Sequence, residues 1–186
     1  TQTAAEQAVA EQFAAVADGL PGSEAVAAIR KEAVRRFAET GLPHRRIEEW
    51  KYTDVRAKMR DLPPPAMVSD APIGPDTLGD IDAWRVVIVD GGEPRLPTDL
   101  VAQGVSVAPL GESLSSGVLD GEWAEGTASA IFDLNTAFVT TGVVVRVPEN
   151  VHVERPIHIA CVSTVPKAAS IYIRNRIEVG AGASAT

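Results

Sequence analysis

Cysteine is nearly absent from this chain. A single thiol, Cys161, among 186 residues excludes an internal disulfide and fits a reducing compartment such as the cytosol. Aromatic residues are scarce at 5%, so any core must be assembled from Ala, Val, Ile and Leu. Positive charge is in deficit: 17 Lys and Arg face 25 Asp and Glu, a net of -8. That balance argues against non-specific nucleic-acid binding and against an anionic membrane surface as partner. No apolar run approaches the roughly 18 residues a transmembrane helix needs. No basic stretch followed by an apolar one opens the chain as a secretory signal would, so the expected location is cytoplasmic. A Gly-rich phosphate loop ending in Lys-Ser or Lys-Thr is missing, as is a Gly-x-Ser-x-Gly elbow. An intrinsic ATPase is therefore unsupported, and the expectation is that the chain is not an enzyme.

What remains is the composition of an ordinary globular protein, 45% hydrophobic and 23% charged. The pattern is α+β, in four stretches: 1–62, 63–82, 83–140 and 141–186. In the first, Ala5, Val9, Phe13 and Val16 recur about once per helical turn and predict an amphipathic helix to residue 18, ended by Gly19, Pro21 and Gly22. Ser23 then caps a second helix with Val26, Ile29, Ala33 and Phe37 as its apolar stripe, while Arg30, Lys31, Arg35 and Arg36 are expected to face elsewhere. Gly41, Leu42 and Pro43 close it, giving a helical hairpin. A mixed charged and aromatic segment follows, in which Trp50 and Tyr52 are expected to anchor a turn or short helix. Pro63, Pro64 and Pro65 remove three consecutive backbone donors and predict an extended connector.

Residues 83–89 predict a strand ended by a turn at Asp90, Gly91 and Gly92, with a short return near Pro94 to Leu96. Residues 105–109 predict another strand, and 113–119 and 124–138 predict helices, the second offering Ala128, Ile131, Phe132, Ala137 and Phe138 for packing. From Gly142 the chain alternates short Val/Ile runs with corners at Pro148, Glu149 and Asn150 and at Arg155 and Pro156, which suits either a sandwich or a parallel β-helix. The final run ends at Val179 without a charge cluster or hairpin to blunt its edge. The expectation is the front part of a longer protein, with open edges that favour association into a homodimer.

The segment 41–56, GLPHRRIEEWKYTDVR, carries Arg46, Glu49, Trp50, Lys51, Tyr52 and Thr53. It is similar to the N-terminal signature of the SufB/SufD family of iron–sulfur cluster assembly scaffolds, on the SufD side. Asn135 and Phe138, the strands with Pro156, and Arg174 and Asn175 resemble the opening of that family's core. The resemblance implies a right-handed parallel β-helix after a small helical domain, and a non-catalytic scaffold role with SufB-like and SufC-like partners. It also implies that the iron–sulfur cluster and ATP are handled by the wider complex, with no cofactor in this chain. A SufB-like subunit is the alternative. A left-handed β-helix acyltransferase is a distant one, because hexapeptide repeats are missing.

His152, His158 and Cys161 are the only residues that tempt as metal ligands. The two histidines sit in alternating strands and are placed to stack on adjacent rungs, although solvent-facing or hydrogen-bonded roles are the default. Cys161 lies between Ala160 and Val162 and is expected to be a buried, inert thiol. His44 is expected to cap or face solvent. Glu48 and Glu49, being adjacent, do not converge as an acid–base pair, and Arg45, Arg46 and Lys51 offer them neutralising partners.

Overall fold

The computed structural model describes residues 2–68, 72–100, 104–119, 122–124, 126 and 129–186. They divide into two compact units. One comprises Thr1–Pro65, Leu114–Val139 and Ala168–Tyr172, the other Ala66–Ser113, Thr140–Lys167 and Ile173–Thr186.

The first unit is helical. α1 (Ala4–Val16) starts in a capping box: Glu6 N–H donates to the Thr3 hydroxyl while Thr3 N–H donates to the Glu6 carboxylate. α2 (Glu24–Thr40) is capped by the Ser23 hydroxyl. Both follow the sequence pattern, with one correction. The buried stripe of α2 is Val26, Arg30, Ala33 and Phe37, so Arg30 replaces Ile29 and is only 2% exposed. Its guanidinium donates to the carbonyls of Pro21, Thr136 and Ala137 and lies 5.4 Å over the Trp123 ring. A long side chain with five donors can be buried where backbone carbonyls converge, which apolar spacing does not reveal.

Ser129 is the N-cap of α5 (Ala130–Phe138), its hydroxyl accepting from Phe132 N–H, so this helix begins later than the sequence pattern predicts. Ala128 lies outside the described residues. α2 packs on α5, and Arg36 reaches across to Asp133 at 2.6 Å. Phe138 joins the two sides of the core, edge-on to Phe13 at 5.8 Å and stacked on Tyr172 at 5.0 Å. The proline run ends in a bridge, Ser170 donating to Pro63 and Pro64 carbonyls.

The second unit carries the strands. β1 (Trp84–Val89) pairs parallel with β4 (Ile157–Val162), and β2 (Ser106–Pro109) pairs antiparallel with β3 (Val143–Val147), which in turn pairs parallel with β5 (Arg176–Val179). The predicted return past the Asp90 turn is present as the bridge of Arg95 to Val87. α4 (Leu110–Ser115) starts directly after β2, earlier than the sequence suggests. Ser113, expected at the start of this helix, lies inside it, its hydroxyl donating back to the Pro109 carbonyl, and the left-handed Gly117 follows the helix end.

The chain from Thr141 onward covers the same path twice. Thr141 bridges Ile173, Val144 pairs with Arg176, Val147 with Val179, and His152 bridges Ser184, all in parallel. The separation is 32 residues each time, as in the side-chain contacts Val143–Asn175 and Arg146–Glu178. The same corner is turned in both passes, with positive φ at Asn150 (61°) and Gly182 (69°). Between passes, Gly142 is indispensable. Its φ is 143°, and a Cβ there would stand 1.7 Å from the Arg174 carbonyl oxygen. Val143, Val145 and Val147 are buried with Trp84, Val86 and Val105. On β5 the apolar side chains remain uncovered, Ile177 at 60% and Val179 at 50% exposure.

Candidate functional site

A well-tethered surface feature of the helical unit is the segment between α2 and α3 (Val55–Lys58). It leaves α2 at Gly41, whose φ of 70° is left-handed and whose absent side chain makes room for the Glu6 carboxylate 2.7 Å from where a Cβ would be. Glu6 accepts from Leu42 N–H at 2.8 Å and faces Arg56 Nε at 3.4 Å. Burial alone would raise this carboxyl's pKa. The Thr3 and Leu42 amides, the Thr3 hydroxyl and Arg56 outweigh it, so the net shift is below the ordinary value of 4.5. Arg56 N–H closes the loop onto the Pro43 carbonyl at 3.0 Å. Asp54 caps α3 by accepting from Ala57 N–H. Thus one buried acid of α1, which the sequence pattern did not single out, fixes both ends of the loop.

The loop itself has two walls. On one side Thr40, Pro43, Ile47, Trp50, Tyr52 and Ala130 line a mainly apolar cavity of about 550 Å³, with Glu49 and Thr53 also on its rim. On the other, His44, Arg45, Arg46 and Arg56 line a cavity of about 390 Å³. The expected anchoring role holds for neither aromatic in full. Trp50 is half-buried after a single 3₁₀ turn (Glu48–Trp50), whereas Tyr52 is 92% exposed, with the Lys51 ammonium 5.3 Å from its ring. Lys51 is held by Glu48 at 2.5 Å. Arg45 and Arg46 have no ion-pair partner among the described residues, so they do not neutralise Glu48 or Glu49.

The three metal-ligand candidates are separate. His152 meets Ser184 in the next pass, Nδ1 to Oγ 2.9 Å, and not His158. His158 sits opposite Arg85 in the β1–β4 ladder, with Nδ1 3.6 Å from the Asp76 carboxylate, beyond hydrogen-bond range. Asp76 itself is held below its ordinary pKa, chiefly by the Leu78 amide. Cys161, three residues along β4, is exposed rather than buried: beyond Ile157, whose N–H donates to the Thr186 carbonyl, no strand other than β1 pairs with β4 among the described residues. Partial desolvation nevertheless raises its thiol pKa. No group of three or more His, Cys, Asp and Glu converges among the described residues, and these three do not form a cluster-holding set.

The remaining signature residues serve the backbone. Pro156 offers its carbonyl to Trp84 N–H, Asn175 Oδ1 accepts from Val143 N–H, and Arg174 N–H donates to Thr141 O. Burial lowers the Arg174 guanidinium to about 10. Asn135 lies within α5, one turn before its end, and its carbonyl accepts from Val139 N–H.

A family model described as the SufBD protein N-terminal region matches residues 7–61 and 101–159. The chain belongs to the SufBD family. The match takes in the helical hairpin from Gln7 onward, leaving Glu6 just outside, and the whole two-walled loop, α5 and the first pass of the parallel ladder. It omits residues 62–100, in the stretch where the sequence is richest in breakers, and it stops short of Arg174 and Asn175. Within SufBD proteins this is a non-catalytic, scaffold-type region of mixed α and β structure. No curated protein matches the chain in a direct sequence comparison. Among the described residues, no helix is long and apolar enough to cross a membrane.

Proposed function

We propose that the chain is the N-terminal part of a SufD-like scaffold subunit, acting in the cytoplasm as part of the SUF iron–sulfur cluster assembly complex. In this reading a SufB-like subunit and a SufC-like ATPase are its partners, and the cluster and ATP are cargo and fuel of the assembly rather than ligands of these residues. The observation that carries it is the SufBD match on both sides of an unmatched middle, in chain order. Two matched blocks in sequence are far more specific than one.

We further read the parallel ladder with its 32-residue spacing as the first turns of a right-handed parallel β-helix. Constant spacing, recurring corners and a valine-rich interior support that architecture. The uncovered apolar side chains of β5 suit pairing with another strand-bearing surface. The signature at 41–56 and the amphipathic N-terminal helix favour SufD over SufB. Co-expression of the full-length protein with SufB and SufC, followed by tagged pull-down and size measurement, tests the assignment. A stable complex containing all three is expected; no association with either overturns it.

A further inference from the structure

Charge is distributed unevenly in this acidic chain. Residues 30–60 hold ten of the 17 basic residues and five of the 25 acids, a local net of +5 that leaves -13 on the rest. Several of these bases are already used: Arg30 on carbonyls, Arg35 on Glu32 and Glu39, Arg36 on Asp133, Lys51 on Glu48. Arg45 and Arg46 are not. They are exposed and have no acidic partner among the described residues, and both line the 390 Å³ cavity.

That cationic cavity and the apolar one share a wall. Neighbours in the chain turn to opposite sides: Pro43, Ile47 and Thr53 line the apolar cavity, while His44, Arg46 and Asp54 line the cationic one. Rigidity comes from below, through the Glu6 bond to Leu42 and the closure of Arg56 onto Pro43. An exposed tyrosine and a half-buried tryptophan beside unpaired arginines are the residue types that dominate binding hot spots.

We propose that residues 43–56 form a docking surface for an acidic peptide segment of a partner protein. The segment seats one apolar side chain between Ile47, Trp50 and Tyr52 and places carboxylates on Arg45 and Arg46. Charge complementarity selects this occupant. A small anion would leave the larger, apolar cavity unfilled. A nucleic acid has no aliphatic side chain to seat between Ile47, Trp50 and Tyr52, and its unbroken row of phosphates would be repelled more strongly than a short acidic segment by the -13 carried elsewhere on the chain. The inference rests on the scaffold reading only in naming a surface through which partners are held.

Panning a random twelve-residue peptide library against the whole chain tests it. Enriched sequences should carry two or more Asp or Glu beside a Leu, Phe or Trp. Synthetic copies should lose about tenfold or more in affinity for R45E/R46E and several-fold for Tyr52→Ser. All three positions are exposed, so these variants keep the fold, which circular dichroism confirms. No enrichment, enrichment without acids, or affinities unchanged in both variants overturns the proposal. Equal competition by a twelve-nucleotide thymidine oligomer would mark a general polyanion surface and overturn it too. Self-association of the chain that R45E/R46E abolishes would assign the patch to a second copy, with the same result. Because the assay uses neither SufB nor SufC, its failure is separable from failure of the pull-down.

Discussion

The Glu6 carboxylate, in the first turn of α1, accepts the backbone N–H of Leu42 at 2.8 Å, 36 residues away. One oxygen thereby satisfies the buried amide at the exit of α2, while the other receives Thr3 N–H. The helical hairpin and the signature loop are tied by a single charged group.

Protonating that group should weaken the fold. The folded pKa lies below the ordinary 4.5, so its contribution is complete above that value and disappears as pH falls through the folded pKa. Glu6→Ala should cost about 2–3 kcal/mol at pH 7, since it orphans the Leu42 amide and breaks the capping box. Urea melts between pH 7 and pH 3 check both points: the wild type should lose more stability across that range than Glu6→Gln.

Replacing Arg30 should be more damaging. With three carbonyls deprived of the Arg30 donor and a void beside Trp123, Arg30→Ala should lose about 3–5 kcal/mol. Arg30→Lys should recover little, because an ammonium cannot reproduce the planar fork or the ring contact. Guanidinium denaturation followed by tryptophan emission distinguishes the two.

Gly142 should tolerate no side chain. At φ 143°, with Arg174 O 1.7 Å from the added carbon, alanine forces the two passes apart. A loss of about 2–4 kcal/mol is expected, read as a Tm drop of roughly 4–16 °C. A Tm within one degree of wild type would show that the passes are not in register there.

Native Cys161 should react completely with a disulfide reagent without denaturant, because the side chain is exposed. Its raised pKa keeps the thiolate fraction small near neutrality, so the rate should climb steeply as pH rises towards and above 9. A thiol titrated only after unfolding would contradict the exposed position.

The helical hairpin was legible because Val9, Phe13, Ala33 and Phe37 repeat with the helical period, and local chemistry at Ser23 and Gly41 marks its ends. Arg30 and Glu6 were not: Thr3 and Glu6 have capping-box spacing, but the distant partners that bury these two side chains, the Leu42 amide and the Thr136 and Ala137 carbonyls, are backbone groups with no side-chain signature. The Val/Ile content announced strands after Gly142. Their pairing partners were hidden, since the 32-residue spacing is seen in side chains as different as Val143 and Asn175, or His152 and Ser184. The exposure of Cys161 was hidden for a related reason: apolar neighbours in sequence do not cover a strand end that pairs, among the described residues, with β1 alone. In the signature segment, residue identity pointed to the loop, but the sorting of neighbours into a greasy wall and a cationic wall required the turn at Glu48–Trp50.

A chain that lays itself down in equal lengths keeps its own ruler. Adding or removing a whole length would return every contact to an equivalent neighbour, while any other increment must be absorbed outside the Asn150 and Gly182 bends or it shears Arg146 away from Glu178. Tolerance to insertion should therefore be quantised along this part of the molecule.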